Sequence, residues 1–364
     1  QLARQARNLC PPNPAVGCVI TDVNGLVLGE GFTQRTGGPH AEVMALRDLS
    51  ARGHSAAGAT AYVTLEPCAH HGRTGPCCDA LIAAGIKKVV ASVADPNPLV
   101  SGRGFEKLRE AGVLVEVGPG AEASRELNMG FFSRMSRDKP WVRMKIAASL
   151  DGRTALTNGT SKWITSPQAR ADGHAWRAKA CTVLTGIGTI LADDPSLDVR
   201  LVDTNRQPRI AIVDSRLETP LNSKVFEGGR DVFIYTASND AAKKAGLSSR
   251  GATVIFCPAT QIEGSVPVDL RSMLHDMAQR ETNEVHVEAG QRLNGSLLQA
   301  GLVDELLIYL APKLLGSGRD MAQIGLTTDL AEAISLDFGA ITRVGPDIRI
   351  LARPHTNAHS PETG

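Results

Sequence analysis

Residues 66–78 read EPCAHHGRTGPCC, which puts three of the chain's seven cysteines and two of its nine histidines in thirteen positions. Upstream, His40 and Glu42 form an H-A-E triplet. One imidazole and two thiolates (His40, Cys68 and Cys77) supply three zinc ligands and leave a fourth position for water, the pattern of a catalytic zinc. Eight residues separate Cys68 from Cys77, rather than the usual two. Glu42, two past the histidine, would stand beside the metal's water and not on the metal, where a carboxylate can shuttle protons to a departing group. A structural knuckle would instead need a fourth ligand from His70, His71 or Cys78, and a third reading makes the cysteines core residues. The joint occurrence of H-x-E and P-C at strand–helix junctions favours the catalytic zinc. Cys78, about 100° around a helix from Cys77, reads as packing, and His70 and His71 read as substrate-loop residues.

These residues need elements to hold them. VGCVI (16–20) and LVLGEGF (26–32) read as strands joined at Asn24-Gly25, a hairpin signal. HAEVMALRDLSA (40–51) has helical spacing, ATAYVTL (59–65) reads as a buried strand, and CCDALIAAG (77–85) as a short helix ending in glycine. Cys77 thus opens a helix, where the positive end of the macrodipole favours a thiolate. KKVVASV (87–93), a helix over 103–111, VLVEVG (113–118) and a helix near 121–134 complete one α/β unit, and SRDKP (136–140) marks its boundary. WVRMKIAASL, TVLTG, PRIAIVDS, DVFIYT, ATVIFC, EVHVEAG and DELLIYLAP are strand-like segments of a second α/β unit. The expected division is 1–138, 139–352 and a disordered tail over 353–364.

A chain of 364 residues is long enough for two cores. A net charge of +1 and 4% aromatics give no reason to expect nucleic acid as a partner. No apolar run approaches a membrane span and no signal-like pattern opens the chain, so the expectation is a cytoplasmic protein with no membrane partner. An odd, scattered cysteine set fits a reducing compartment. QLARQARNL reads as a helix already under way at Gln1, which implies a short preceding piece.

The layout H-x-E…P-C…C is that of zinc deaminases. NPAVGCVI, GPHAEVMAL and TLEPCAHHGRTGPCCDALI closely resemble the deaminase half of the bifunctional deaminase-reductase family of riboflavin biosynthesis, whose long C-x8-C loop varies the cytidine-deaminase fold. KIAASLDGRTA, WITSPQAR, LADDPSLDVR, VEAG and LVDELLIYLAPKLLG resemble its reductase half. The departures are CPPNP in place of a threonine- or histidine-led PNP, and a truncated first helix. The resemblance implies a cytidine-deaminase-like α/β/α domain followed by a dihydrofolate-reductase-like α/β domain, with Zn2+ and NADPH as cofactors. It also implies a phosphorylated pyrimidine as small-molecule substrate, and a homo-oligomer (dimer or tetramer) is expected. The first half would remove the 2-amino group of 2,5-diamino-6-ribosylamino-4(3H)-pyrimidinone 5′-phosphate, with Asn13 binding substrate, and the second would reduce the ribosyl side chain to ribityl. The alternative is a nucleoside-type zinc deaminase fused to a non-catalytic ligand-binding module.

From residues alone, the second half offers only two glycine-containing segments after strands, TGIGT (185–189) and AGQRLNGS (289–296), neither being a dinucleotide fingerprint. The resemblance assigns cofactor contacts to Ala147, Trp163, Thr189, Asp193, Ser215 and the loop Gly290, Gln291, Arg292, Leu293, Asn294, Gly295 and Ser296. It assigns substrate contacts to Ser161, Arg177, Leu197, Arg200 and Glu288, and Lys145, on a strand aimed at the site, could offer charge or a proton. Arginines suit a sugar phosphate because they bind it bidentately. Arg216, beside Ser215, is the candidate for the cofactor's 2′-phosphate.

Overall fold

The computed structural model describes residues 1–70, 75–97, 100–260 and 266–355. His71 of the expected substrate loop lies outside them. The chain separates into two compact units, 1–140 with 278–283, and 141–277 with the residues from 284 on.

The first unit runs α1 (Leu2–Ala6), β1 (Gly17–Thr21), β2 (Val27–Phe32), α2 (Ala41–Ala51), β3 (Thr60–Val63), α3 (Cys77–Ala83), β4 (Lys88–Ala91), α4 (Arg103–Glu110), β5 (Leu114–Val117), α5 (Ala121–Leu127) and α6 (Met129–Arg137). Its sheet has the order β2-β1-β3-β4-β5, antiparallel in the hairpin and between β1 and β3, parallel from β3 to β5. The core is built from alternate residues of the strands, such as Cys18, Ile20, Ala61, Val63, Val89 and Ala91, under Ala41, Ala45 and Leu81 of the helices. Small residues bring α2 close: a Cβ on Gly31 would stand 2.4 Å from the Ala41 carbonyl and the Ala45 nitrogen, so only glycine lets β2 touch the helix backbone. The expected single helix over 121–134 is two, because Asn128 leaves the helical region and its side chain bonds both Ala15 N (2.7 Å) and Ala15 O (3.0 Å). The expected boundary segment SRDKP is partly helical: Ser136 and Arg137 finish α6, and Asp138 stops it at φ 52°.

The second unit runs β6 (Trp141–Ser149), β7 (Arg153–Leu156), α7 (Pro167–Lys179), β8 (Thr182–Gly186), α8 (Ile187–Asp193), β9 (Arg209–Val213), β10 (Val232–Thr236), α9 (Ala241–Ser249), β11 (Ala252–Phe256), α10 (Leu270–Gln279), β12 (Glu284–Val287), α11 (Gln291–Gln299), β13 (Glu305–Ala311), β14 (Gly318–Asp320), β15 (Leu336–Val344) and β16 (Asp347–Pro354). Nine strands form one sheet in the order β11-β10-β9-β8-β12-β6-β13-β16-β15, parallel as far as β13 and antiparallel at the β16-β15 edge. Helices cover both faces, as a mostly parallel sheet requires. Met273, Leu274, Leu297 and Leu298 of α10 and α11 pack with Val142, Met144, Val285 and Val287, and Ala169 and Trp176 of α7 pack against Leu307 and Tyr309. The tail expected from 353 starts too early, since Arg353 and Pro354 still pair with Asp337 and Leu336 and His355 N–H donates to Ser335 O. Residues 356–364 lie outside the described part.

Candidate functional site

In the first unit, the hairpin-backed helix α2 presents its first turn to the end of β3 and the start of α3. His40 is the N-cap of α2, and Cys77 is the first residue of α3. His40 Nδ1 lies 3.6 Å from Cys68 Sγ and 3.3 Å from Cys77 Sγ, and the ligand atoms of the three residues lie within 4.8 Å of one another. This is the one such cluster among the described residues. Its donor set of two sulfurs and one imidazole fits zinc. Cys68 Sγ accepts the Cys77 N–H at 3.3 Å, and hydrogen bonds from Cys77 and His40 lower its pKa, favouring the thiolate a metal needs. Cys78 turns away: its thiol donates to Pro67 O (3.2 Å) and Gly104 O (3.5 Å), and burial pushes its pKa up to about 12.

Glu42 is buried beside this cluster, 3% exposed, and burial foremost raises its carboxyl pKa. A carboxyl shifted in that direction is better suited to carry a proton than an ordinary surface carboxylate. Asn13 sits in a turn in which its N–H donates to Cys10 O at 2.8 Å, and Cys10's thiol returns to Asn13 O. His70 is exposed.

The second unit assembles its polar residues at the carboxyl ends of adjacent parallel strands, where ligands of such sheets bind. Glu288 directly follows β12, and Arg177 of α7 grips it with two bonds, Nε to Oε1 at 2.6 Å and Nη2 to Oε2 at 2.9 Å. Burial alone would raise the Glu288 pKa, but Arg177, Lys145 and His286 hold it well below the usual carboxylate range. Lys145 of β6 faces the same pair, and burial lowers its pKa. Arg177 also donates to the carbonyl of Asp198, whose carboxylate takes Arg200 Nη1 at 2.5 Å. Leu197, buried at φ 52°, accepts Arg230 Nη1 through its carbonyl at 3.0 Å. Lys145, Arg177, Arg200 and Glu288 are therefore one charge network.

The expected cofactor contacts are spread over several elements of the second unit. Ala147 is two residues past Lys145 on β6. Trp163 is 60% exposed with the Arg170 guanidinium 4.3 Å over its ring, and Ser161 lies two residues before it. Thr189 is on α8, and Asp193 ends that helix in an ion pair with Lys162 at 3.2 Å. Ser215 follows β9, and its carbonyl accepts Ala237 N–H at 3.3 Å. Arg216 pairs with Glu218 at 3.0 Å. The expected 290–296 loop is a helix: Gly290 caps α11 without a side-chain bond, and Gln291 to Ser296 form its first turns. Only the amides of its first turn remain open to an anion. Asn294 donates to Met321 O at 2.9 Å, and a Cβ on Gly295 would stand 1.9 Å from Gln323 O, so those two residues pack the helix. The open turn at Gly290, beside the charged network, fits a phosphate-bearing cofactor.

Sequence reasoning passed over His286, His174 and Asp198. His286 is fully buried on β12, with Nε2 3.5 Å from Glu288 Oε1, and burial lowers its pKa to about 3. His174 Nδ1 accepts Arg200 N–H at 3.2 Å. Period-two spacing in H-V-E and three-residue spacing between His174 and Arg177 were available signals that each pair shares a face.

Residues 1–93 match the family model for the cytidine and deoxycytidylate deaminase zinc-binding region, and residues 140–350 match that for the RibD C-terminal domain. The riboflavin biosynthesis protein RibD of Escherichia coli is 44% identical over 362 residues, covering 96% of this chain and 95% of the relative. The solved structure of Acinetobacter baumannii RibD superposes with a TM-score of 0.87 at 40% identity, covering 97% and 96% of the two chains. A Thermotoga maritima structure, described as a diaminohydroxyphosphoribosylaminopyrimidine deaminase/5-amino-6-(5-phosphoribosylamino)uracil reductase, gives 0.86 at 33% identity over 97% and 96%. Matches across both halves do not favour the alternative of a fused, non-catalytic second module. Zinc and NADPH are the cofactors. The chain belongs to the RibD family, the bifunctional deaminase-reductases of riboflavin biosynthesis.

Proposed function

We propose that residues 1–138 deaminate 2,5-diamino-6-ribosylamino-4(3H)-pyrimidinone 5′-phosphate and that residues 139–352 then reduce its ribosyl side chain. The observation that carries this reading is a buried carboxyl, Glu42, beside the convergent His40, Cys68 and Cys77. Those three hold the metal. When bound, zinc supplies an activated water and NADPH supplies hydride. Glu42 takes a proton from the attacking water and delivers it to the amino group, so a carbon–oxygen bond forms as the carbon–nitrogen bond breaks and ammonia leaves. Asn13 hydrogen-bonds the pyrimidine.

In the second unit Arg177 and Arg200 bind the sugar phosphate end, with Ser161, Leu197 and Glu288 lining the substrate. Glu288 is held ionised, so it orients sugar hydroxyls, while Lys145, made more acidic by burial, gives up the proton that accompanies hydride. Ala147, Trp163, Thr189, Asp193, Ser215 and the first turn of α11 receive the cofactor. The chain acts in the cytoplasm as a homo-oligomer. A bulge in β15 sets Phe338 and Ile341 opposite Ala352 and Ile350, hence on one face, where both are more than 60% exposed, and such apolar faces favour a partner.

Turnover of the synthetic phosphorylated diaminopyrimidinone, followed by mass with and without NADPH, tests the reading. Exchange of an amino group for oxygen is expected without NADPH, and a further gain of two hydrogens with it. Reduction before deamination, or neither, would overturn the order proposed.

A further inference from the structure

The metal cluster has a second support that its ligands do not explain. Glu66, two residues before Cys68, is 4% exposed, yet among the described residues its side chain hydrogen-bonds backbone alone: Oε2 accepts Asp95 N–H at 3.1 Å and Gly102 N–H at 3.0 Å, and Oε1 accepts Gly104 N–H at 2.9 Å. Gly102 is the N-cap of α4, so a buried carboxylate sits on the amides that open a helix. Gly104 presses on the same stretch from that helix, since a Cβ there would stand 2.1 Å from Pro67 O. On the other side, the Cys78 thiol donates to Pro67 O at 3.2 Å and the Cys78 N–H donates to Cys68 O at 3.2 Å. Pro67-Cys68 is thus clamped between the first turns of α4 and α3.

We infer that Glu66 and Gly104 are positioning residues for the Cys68 thiolate: Glu66 ties the ligand loop to the first turn of α4, and Gly104 admits the loop close enough for Cys68 to meet His40 and Cys77. The physical reason is reach. Cys68 follows β3 in non-repetitive chain, with no helix of its own to fix it, whereas His40 and Cys77 each sit at a helix start. Groups behind metal ligands fix their geometry, and losing one typically costs about 10–100-fold in metal affinity. Glu66→Gln keeps the volume but turns an amide N–H₂ toward backbone donors, leaving a buried donor without an acceptor.

The inference rests on the zinc reading of the cluster, and its test separates the two. Zinc affinity and the visible absorption of the cobalt-substituted full-length protein are measured for the parent, Glu66→Gln and Gly104→Ala, with Val89→Ala as a control that loosens the same core away from the loop. Glu66→Gln and Gly104→Ala should each weaken zinc about 10–100-fold and shift the cobalt bands alike, one by lost bonds and one by steric push. Val89→Ala should leave the bands in place. Parental affinity and spectrum in Glu66→Gln would overturn the inference while the zinc reading stands, and so would an equal shift in Val89→Ala, which would make the effect general loosening. A parent that binds neither metal would overturn both.

Discussion

Glu42 and Glu288 are both buried carboxylates in candidate catalytic sites, and the two units treat them in opposite ways. Burial foremost raises the pKa of Glu42, which favours a carboxyl able to pick up and release a proton. Glu288 is gripped bidentately by Arg177 with Lys145 nearby, which keeps it charged across the working range. The difference matches the roles proposed for them: the first carboxyl moves a proton, the second holds and orients. The sites also differ in construction. The deaminase cluster comes from positions 40 to 77, at two helix starts and in the non-repetitive chain after β3, while the reductase network draws on β6, α7, the 197–200 segment and the end of β12.

The sharpest test of that contrast removes one thiolate. Cys77→Ser should abolish deamination and lose zinc by metal analysis, while Cys78→Ser, whose thiol faces Pro67 and Gly104, should keep the metal. The reverse pattern would put the second ligand at Cys78. Next in size, Glu42→Gln keeps shape and polarity but cannot carry the proton, so deamination should fall about 10²–10⁴-fold with zinc retained. The same variant should reduce already deaminated substrate at close to the parental rate. Reduction collapsing in step would show that the units are not independent catalysts.

The mirror experiment is Glu288→Gln. It leaves the buried Arg177 guanidinium without its counter-charge, and breaking such a pair typically costs about 3–5 kcal/mol. NADPH oxidation should be lost or strongly reduced, with deamination intact. Were reduction to proceed normally, the Arg177–Glu288 pair would be scaffolding, and the role of the network would need reassigning.

Legibility followed the same divide. The zinc cluster could be read in the chain because its ligands fall at junctions that local pattern marks: H-A-E opening a helical repeat, and P-C ending an apolar strand. The reductase network could not, because nothing in the sequence brings Lys145, Arg177 and Glu288 together; strand order in a parallel sheet is set by crossovers, not by neighbours. The resemblance named Arg177 and Glu288, but it gave no hint that they bind each other. Two elements escaped pattern altogether. In β15, positions 337–343 are exposed on both sides, so the burial period that reveals a strand is missing, and the end of β16 after it reads as tail. The glycines of 290–296 suggest a loop, yet Gly295 lets the helix pack against Gln323.

The smallest expected effect lies in the pH dependence of stability, and it again separates the units. Burial, with nearby cations, lowers the pKa of His286 to about 3 and that of His174 to about 4. An unfolded histidine titrates near 6.5. Between about pH 6.5 and 4 the unfolded chain therefore binds protons that the folded unit refuses, and stability falls as pH drops through that window, by at most about 1.4 kcal/mol per pH unit for each histidine. Above pH 6.5 both states are neutral and this contribution is constant. In the deaminase unit Asp95 has the opposite sign: burial pushes it up to about 6, so its contribution improves as pH falls from there. All three tryptophans, Trp141, Trp163 and Trp176, belong to the second unit, so their fluorescence reports its unfolding alone. Urea midpoints followed this way should fall from pH 7.5 to 5, and His286→Leu should flatten the slope even if it lowers the midpoint. A midpoint that is level with pH, or a slope unchanged in His286→Leu, would mean that His286 is not held neutral against Glu288, and the charge balance drawn for the reductase site would have to be redrawn.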